Sequence, residues 1–69
     1  MTAVVQKVTE VVGFSPKSFA EATKNAVETA AKTVRNIKWF RATEFEGDVH
    51  DGKVTSYRTL VRIYFDYED

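Results

Sequence analysis

The sequence predicts an α+β domain of element order β-α-β-β, in which three antiparallel strands wrap around one amphipathic helix. Residues 4–12 form a valine-rich run without glycine or proline, which is typical of a strand. Apolar residues from Phe19 to Ile37 recur in steps of three and four, as on one face of a helix. Residues 54–67 alternate strongly, which predicts a long strand with one mostly apolar face. A chain of 69 residues makes one domain, residues 1–69.

The passage from the first strand to the helix has clear local signals. Gly13 ends the valine run. Ser15 is a good N-cap, and Pro16 suits the first helical position, where its missing N–H costs nothing. Phe14 precedes this cap and is expected to pack against Phe19 as a hydrophobic staple.

The helix is predicted to cover residues 16–36, a length of roughly 30 Å. Asn36 is its expected end, because asparagine tolerates the left-handed conformation that often terminates helices. Many positions on the apolar face are alanine, so the sheet is expected to approach the helix closely. The opposite face is charged and solvated.

The rest of the chain predicts a β-hairpin. Residues 39–46 read as a strand, and Gly47 and Gly52 are expected to bracket a loop over residues 47–52, with Asp51-Gly52 as a turn signal. In the last strand one face is mostly apolar and is the candidate to lie under the helix: Tyr57, Thr59, Val61, Ile63, Phe65 and Tyr67.

Trp39 is the single tryptophan of the chain, and it shares a strand face with the polar residues Arg41 and Thr43. A large aromatic on a polar face is either an interface anchor or a stacking platform for a planar ligand. One helix covers only one side of a sheet, which leaves the other side with a mixture of large apolar residues and arginines: Trp39, Leu60, Tyr64, Arg41, Arg58 and Arg62. Aromatic residues with arginine are typical of interface centres, so the chain is expected to assemble with copies of itself.

Composition excludes several classes of function. There is no cysteine, which excludes disulfides and thiolate metal sites, and Lys plus Arg equal Asp plus Glu, which disfavours nucleic acid as a partner. Asp48, His50 and Asp51 resemble a metal cluster, but two carboxylates in a glycine-bounded segment usually mark a turn. No nucleophile has a recognisable base beside it, and no membrane span or signal sequence is evident. We expect a soluble, cytoplasmic protein that is not an enzyme and has no metal site.

Nearly the whole chain resembles the dodecin family. The resemblance rests on Lys7, on the strand-to-helix turn Val11-Val12-Gly13-x-Ser15-Pro16, and on Ala30-x-x-Thr33-Val34-Arg35-x-Ile37-x-Trp39-Phe40. It continues through the hairpin to Tyr57-x-x-x-Val61-x-Ile63-x-Phe65. Each pattern is weak alone, but their order and separations in so short a chain are specific.

The resemblance implies a hollow homododecamer with its helices outside and its sheets inside. It implies non-covalent binding of flavin, as FMN, riboflavin or FAD, in pairs stacked between symmetry-related tryptophans, with storage and photoprotective quenching as the role. Trp39 matches the stacking tryptophan and Glu44 matches an acidic position that accepts hydrogen bonds from the ribityl chain. Lys7 and Arg58 are further cofactor-binding candidates.

Arg58 departs from the family pattern, which often has glutamine there. Arginine donates to the ring carbonyls of a flavin but cannot accept from N3–H. It favours a phosphate instead, and this slightly favours FMN. The alternative is a dodecin-like assembly whose pocket is empty or holds another, anionic ligand near Arg58. For Arg58, Arg62 and Arg41 the competing interpretation is inter-subunit ion pairing with acidic residues: Glu44, Glu46 or Asp66.

Overall fold

A computed structural model describes residues 5–67, so Val4 of the first predicted strand lies outside the described residues. The elements follow the predicted order β-α-β-β. They are β1 (Gln6–Ser15), α1 (Phe19–Ala30), β2 (Ile37–His50) and β3 (Lys53–Asp66). The strands form one antiparallel sheet in the order β1-β3-β2, so β3 lies in the centre. The predicted fold class is confirmed.

The core lies between α1 and the alternating face of β3 that the sequence predicts. Thr59, Val61 and Ile63 are completely buried on this face. The helix contributes only alanines to the buried set, namely Ala22, Ala26 and Ala30. Small side chains bring the helix axis close to the sheet, as expected from the alanine-rich apolar face.

Gly13 does not end β1, contrary to the prediction, but lies inside the strand opposite Thr59. A Cβ at this position would collide with the carbonyl oxygen of Ala22 and would lie 2.8 Å from the Cβ of Ala26. The glycine is therefore needed for the close approach of the helix to β1, and not for a turn.

The helix begins three residues later than predicted, because Ser18 and not Ser15 is its N-cap. The Ser18 hydroxyl accepts a hydrogen bond from the backbone N–H of Glu21 at 3.0 Å. Ser15 is buried at the end of β1, where its hydroxyl donates to the Glu21 carboxylate at 2.7 Å and accepts from the N–H of Lys17 at 2.9 Å. Ser15 thus organises the turn that precedes the helix.

The expected packing of Phe14 against Phe19 is wrong. Phe14 lies opposite Arg58 on the sheet side away from the helix and is 58% exposed. Phe19 packs instead against Phe45 and Tyr57, with ring centroids 5.4 Å and 4.9 Å away and the rings nearly perpendicular. Since β1 continues to Ser15, strand alternation turns Phe14 away from the helix.

The helix ends at Ala30, six residues before the predicted end at Asn36. Tight hydrogen bonds follow, from the N–H of Lys32 to the carbonyl of Thr29 and from that of Thr33 to Ala30. Asn36 does adopt the left-handed conformation, with φ of 63°, but it directs the chain into β2 rather than ending α1. The helix of 12 residues is about 18 Å long, much shorter than the strands.

The predicted loop over residues 47–52 is wrong, because β2 continues to His50. Pairing runs without a loop from Gly47 opposite Tyr57 to His50 opposite Lys53. Only the Asp51-Gly52 turn remains, with φ of 52° and 76°, as the sequence predicts. Positive φ at both central residues is the geometry of a two-residue hairpin turn.

The helix α1 lies over β1 and β3 and hardly touches the edge strand β2. Phe40 and Phe45, on the helix side of β2, remain 48% and 57% exposed. Within the described part of the chain, no helix has the length and apolar character needed to cross a membrane.

Candidate ligand-binding site

The sheet side that faces away from α1 carries most of the candidate residues and is called the outer face here. Strand register defines it, because directly opposed residues in an antiparallel pair share a face. Trp39 lies opposite Tyr64, Arg41 opposite Arg62, and further along the strands the pairs continue with Glu44–Leu60, Glu46–Arg58 and Asp48–Ser56. From β1, the outer face receives Gln6, Val8, Glu10, Val12 and Phe14.

A β-bulge places Glu44 on the same face as Trp39. Strict alternation from Trp39 would have put Thr43 on the outer face and Glu44 on the helix side. The register shifts between Ala42 and Glu44, so Thr43 is the extra residue and Glu44 takes the outer position opposite Leu60. Thr43 turns its hydroxyl to the carbonyl of Leu60 at 3.3 Å.

Trp39 is stacked on Tyr64. The ring centroids are 3.7 Å apart and the rings are inclined by only 2°. The guanidinium carbon of Arg41 lies 5.6 Å from the indole centroid, within cation–π range. The Trp39 residue nevertheless remains 42% exposed.

A polar chain across all three strands fixes the edge of this indole. Trp39 Nε1 donates to Gln6 Oε1 at 3.0 Å, and Gln6 Nε2 donates to Asp66 Oδ1 at 3.1 Å. Lys38 Nζ lies 3.8 Å from the other carboxylate oxygen of Asp66. The hydrogen bond of the indole N–H therefore links β2 to β1 across β3 and restrains the ring at its edge.

Arg58 is already engaged by two carboxylates of its own chain. Its Nε donates to Glu46 Oε1 at 3.2 Å and its Nη1 donates to Asp48 Oδ1 at 2.8 Å. The second oxygen of Asp48 accepts from the Ser56 hydroxyl at 2.6 Å. One cation and two anions give this cluster a net charge of −1 at neutral pH.

These contacts shift the acid–base equilibria of the cluster. The hydrogen bond from Ser56, followed by that from Arg58, holds the pKa of Asp48 below its ordinary value of 3.8. The hydrogen bond to Asp48, with a further contribution from Glu46, raises the pKa of Arg58. Both groups are charged at neutral pH, so the ion pairs of the cluster are intact.

The other outer-face arginines also contact groups of their own chain. Arg62 Nε lies 3.3 Å from Glu10 Oε2, although the geometry does not complete a hydrogen bond. Arg41 approaches the Trp39 ring rather than a carboxylate. Ion pairing of these arginines between subunits stays a prediction.

Lys7 is not brought to Trp39 within one chain. It lies opposite Phe65 on the helix side of the sheet, and its ammonium is 4.7 Å from the centroid of the Tyr67 ring. It lines a shallow cavity of about 350 Å³ together with Arg35 and other residues of the segment after α1. A role for Lys7 at the same ligand as Trp39 would need a second copy of the chain.

Trp39, Glu44 and Arg58 share the outer face but are spread along it. Trp39 lies opposite Tyr64 of β3 and Glu44 lies opposite Leu60 of β3, whereas Arg58 is itself a residue of β3. At 3.3 Å per residue, Glu44 and Arg58 lie about 13 Å and about 20 Å from the level of Trp39. The three residues therefore line a long surface rather than one closed pocket of a single chain.

The suspected metal residues do not converge. His50 Nε2 lies 3.4 Å from Asp51 Oδ2, but Asp48 is turned to Ser56 and Arg58. Within residues 5–67 there is no group of three or more His, Cys, Asp or Glu side chains suited to hold a metal ion.

Two residues of the site, Tyr64 and Gln6, are not among the sequence-predicted site residues. Alternation places Tyr64 on the outer face, but only strand register shows that it lies opposite Trp39. Gln6 is on β1, and its contact with Trp39 depends on β3 lying between β1 and β2. The sequence contains no local signal for that strand order.

Comparison with known proteins assigns this arrangement to one family. The Dodecin family model matches residues 5–68. The chain is 31% identical over 65 residues to the dodecin of Thermus thermophilus, covering 94% of each chain. The dodecin structure from Streptomyces coelicolor superposes with a TM-score of 0.92 at 36% identity, covering 100% of this chain and 99% of that one. The dodecin from Streptomyces davaonensis superposes with a TM-score of 0.91 at 26% identity, covering 99% and 100%.

All these matches are to small β-α-β-β binding proteins. The chain belongs to the dodecin family. Membership implies self-assembly into an oligomer, in agreement with the expectation from the uncovered outer face.

Proposed function

We propose that the protein binds flavin non-covalently in a homododecamer, in which flavin pairs stack between symmetry-related copies of Trp39. The role that follows is storage of flavin and quenching of its photochemistry, without turnover of a substrate. The observation that carries this proposal is the state of Trp39, whose indole is stacked on Tyr64, hydrogen-bonded at its edge to Gln6 and still 42% exposed.

The residues at Trp39 fit a flat heteroaromatic ring. A ligand stacked on the indole face away from Tyr64 removes apolar area from water on both partners and gains an offset-stacking contribution of about 0.5–1.5 kcal/mol. Glu44 is exposed on the same face, where its carboxylate can accept hydrogen bonds from hydroxyl groups of a ligand chain. Trp39 and Glu44 would thus contact different parts of one ligand.

The bound flavin supplies the ring that absorbs light. The protein's part is to hold an electron-rich indole against that ring and to exclude water and oxidants from it. Neither task needs a nucleophile, a proton donor or a covalent bond from the chain. Binding and quenching are therefore consequences of the same contact at Trp39.

The engagement of Arg58 changes the expected ligand preference. A free guanidinium would favour the phosphate of FMN, but Glu46 and Asp48 already occupy two donors of Arg58 and give the cluster net negative charge. A phosphate bound at Arg58 would be repelled by the carboxylates of Glu46 and Asp48. We therefore propose that FMN binds no more tightly than riboflavin, and that the isoalloxazine ring is the group recognised.

The alternative is an assembly with an empty pocket or with an anionic ligand at Arg58. The carboxylates of Glu46 and Asp48 disfavour binding of an anion at Arg58. An empty pocket does not explain why the indole of Trp39 is exposed. Flavin binding at Trp39 accounts for both features of the outer face.

A fluorescence titration of riboflavin and FMN tests the proposal. Flavin emission should fall on addition of the wild-type protein, because stacking on indole quenches it. Trp39→Leu should weaken binding tenfold or more, on the scale of about 1–3 kcal/mol for a planar base stacked on an aromatic side chain. The matched control is Phe40→Leu, which removes the neighbouring, similarly exposed aromatic ring from the other side of the sheet. Full flavin emission at micromolar wild-type protein would refute flavin binding.

A further inference from the structure

We propose that Tyr64 is a positioning residue of the ligand site. Its ring covers one face of the Trp39 indole and fixes the plane of that indole, so that ligand is received only on the opposite face. This inference rests on the proposed flavin-binding function. It adds Tyr64 to the site, specifies which face of the Trp39 indole receives the ligand, and explains why the indole is rigid.

The rings of Tyr64 and Trp39 are fully stacked on each other. A centroid separation of 3.7 Å with a 2° inclination leaves no room for a planar ligand between Tyr64 and Trp39. The two residues are also direct partners in the β2–β3 register, so the backbone itself holds them side by side. The covered face of the indole is therefore unavailable unless Tyr64 moves away.

The remaining freedom of the indole is restrained at its edge. Rotation about the side-chain bonds of Trp39 would break the hydrogen bond from Nε1 to Gln6 as well as the stack on Tyr64. The residue is nevertheless 42% exposed. A ring restrained on one face and at one edge, but open to this extent, offers its second face to a partner. The exposed side chain of Arg41, whose guanidinium carbon lies over the ring 5.6 Å from its centroid, is the group that such a partner has to displace.

Tyr64 has no comparable task in the core. Its sequence neighbours Ile63 and Phe65 lie on the helix side, whereas Tyr64 lies on the outer face and is only half-buried. Its position is also one that the motifs shared with the dodecins leave open. The stack on Trp39 is its main side-chain contact of defined geometry.

A fixed platform improves affinity because the ligand does not have to order it. Immobilising a flexible side chain costs about 0.5–1.5 kcal/mol on binding, and a prearranged ring avoids that cost. Loss of the Tyr64 ring should accordingly weaken riboflavin binding by about threefold to tenfold. Tyr64→Phe keeps the ring and should bind riboflavin as the wild type does.

The test combines two readings on four variants: Tyr64→Phe, Tyr64→Ala, Tyr64→Leu and the control Val12→Ala. The first reading is the riboflavin affinity by titration. The second is collisional quenching by acrylamide of tryptophan emission in the ligand-free protein, which reports Trp39 alone because the chain has one tryptophan. Tyr64→Leu keeps apolar bulk on the sheet, so it replaces Tyr64→Ala if that variant does not assemble. Val12 is an exposed apolar residue of the same face that lies opposite Leu60.

The inference expects weaker riboflavin binding and stronger acrylamide quenching in Tyr64→Ala and Tyr64→Leu, with Tyr64→Phe and Val12→Ala close to the wild type. Unchanged or tighter binding in the ringless variants would overturn it, because Tyr64 would then be neutral or a competitor for the indole. If even the wild type binds no riboflavin, the proposed function fails. In that case acrylamide quenching of the tryptophan emission still decides whether Tyr64 fixes the indole. Equal quenching in the wild type, Tyr64→Ala and Tyr64→Leu would refute the positioning role.

Discussion

At the scale of the residue, the orientation of Trp39 depends on groups from the other two strands. Tyr64 of β3 supports its face and Gln6 of β1 holds its N–H. The polarity pattern of the sequence is enough to single out Trp39, because a tryptophan among arginine and threonine is visible in one segment. Its two supports are visible only through the register of a sheet whose strands lie far apart in sequence.

Arg58 shows the opposite case, in which the residue was identified but its ion pairs within the same hairpin were not. The interpretation as an anion receptor assumed a free guanidinium. The structure brings Glu46 and Asp48 to the same face because β2 continues through the segment expected to be a loop. Inter-subunit pairing was the competing interpretation that included Glu46, and pairing within the hairpin is what the described residues show for Glu46 and Asp48.

The lowered pKa of Asp48 predicts a pH-dependent contribution to stability. A carboxyl group with a lowered folded-state pKa stabilises the fold above its ordinary value, here 3.8, and this stabilisation is lost as the pH falls through the lowered value. Asp48→Asn removes the titrating group. The difference in urea midpoint between wild type and Asp48→Asn should therefore be constant near neutral pH and should close below about pH 4.

Ser56→Ala provides the control for this prediction. The Ser56 hydroxyl is the largest cause of the lowered pKa, so its removal should reduce the acid-dependent difference. The effect is expected to be small, because the carboxylate is exposed and screened by solvent. A difference that stays the same from neutral to acidic pH would show that the Asp48 contacts do not stabilise the hairpin.

At the scale of the element, the position of the helix determines which parts of the sheet are covered. Because α1 lies over β1 and β3, the helix side of the edge strand β2 stays open, together with an apolar groove of about 420 Å³ that Phe19, Val27 and Phe40 help to line. The sequence pattern continued to Ile37 with helical spacing, but Val34 and Ile37 belong to the connection and to β2. Apolar residues that follow a helix can continue its period by chance.

Gly13→Ala should destabilise the fold more than other small changes on β1. The added Cβ collides with the helix backbone at Ala22, so α1 has to move away from the sheet. Overpacking of this kind costs about 1–3 kcal/mol or more in the free energy of unfolding. Urea denaturation measures this cost, and Val12→Ala on the open face is the matched control, expected to cost less. Equal costs for the two variants would show that the helix does not need the close approach at Gly13.

The kinds of elements and their order were predictable, whereas their ends were not. Alternation in β3 and the Asp51-Gly52 turn are local properties, and both are confirmed. The end of β1 was misplaced because Gly13 serves a tertiary contact rather than a turn. The bulge at Thr43 has no sequence signal, yet it decides that Glu44 shares a face with Trp39.

At the scale of the whole molecule, the described part of one chain has too little core to explain its apolar residues. Within residues 5–67, five hydrophobic residues are buried and eleven large ones are exposed. They lie on both sides of the sheet, as Phe40 and Phe45 on one side and Val8, Val12 and Trp39 on the other. Association with further copies, implied by family membership, is the arrangement in which these surfaces can leave water.

Native mass spectrometry of the protein mixed with riboflavin tests the central claim most directly, because it reports assembly and ligand together. The account predicts a dodecamer that carries up to one riboflavin per chain, and the same dodecamer without riboflavin for Trp39→Leu. A wild-type dodecamer that carries no riboflavin, or a stable monomer at micromolar concentration, would contradict it.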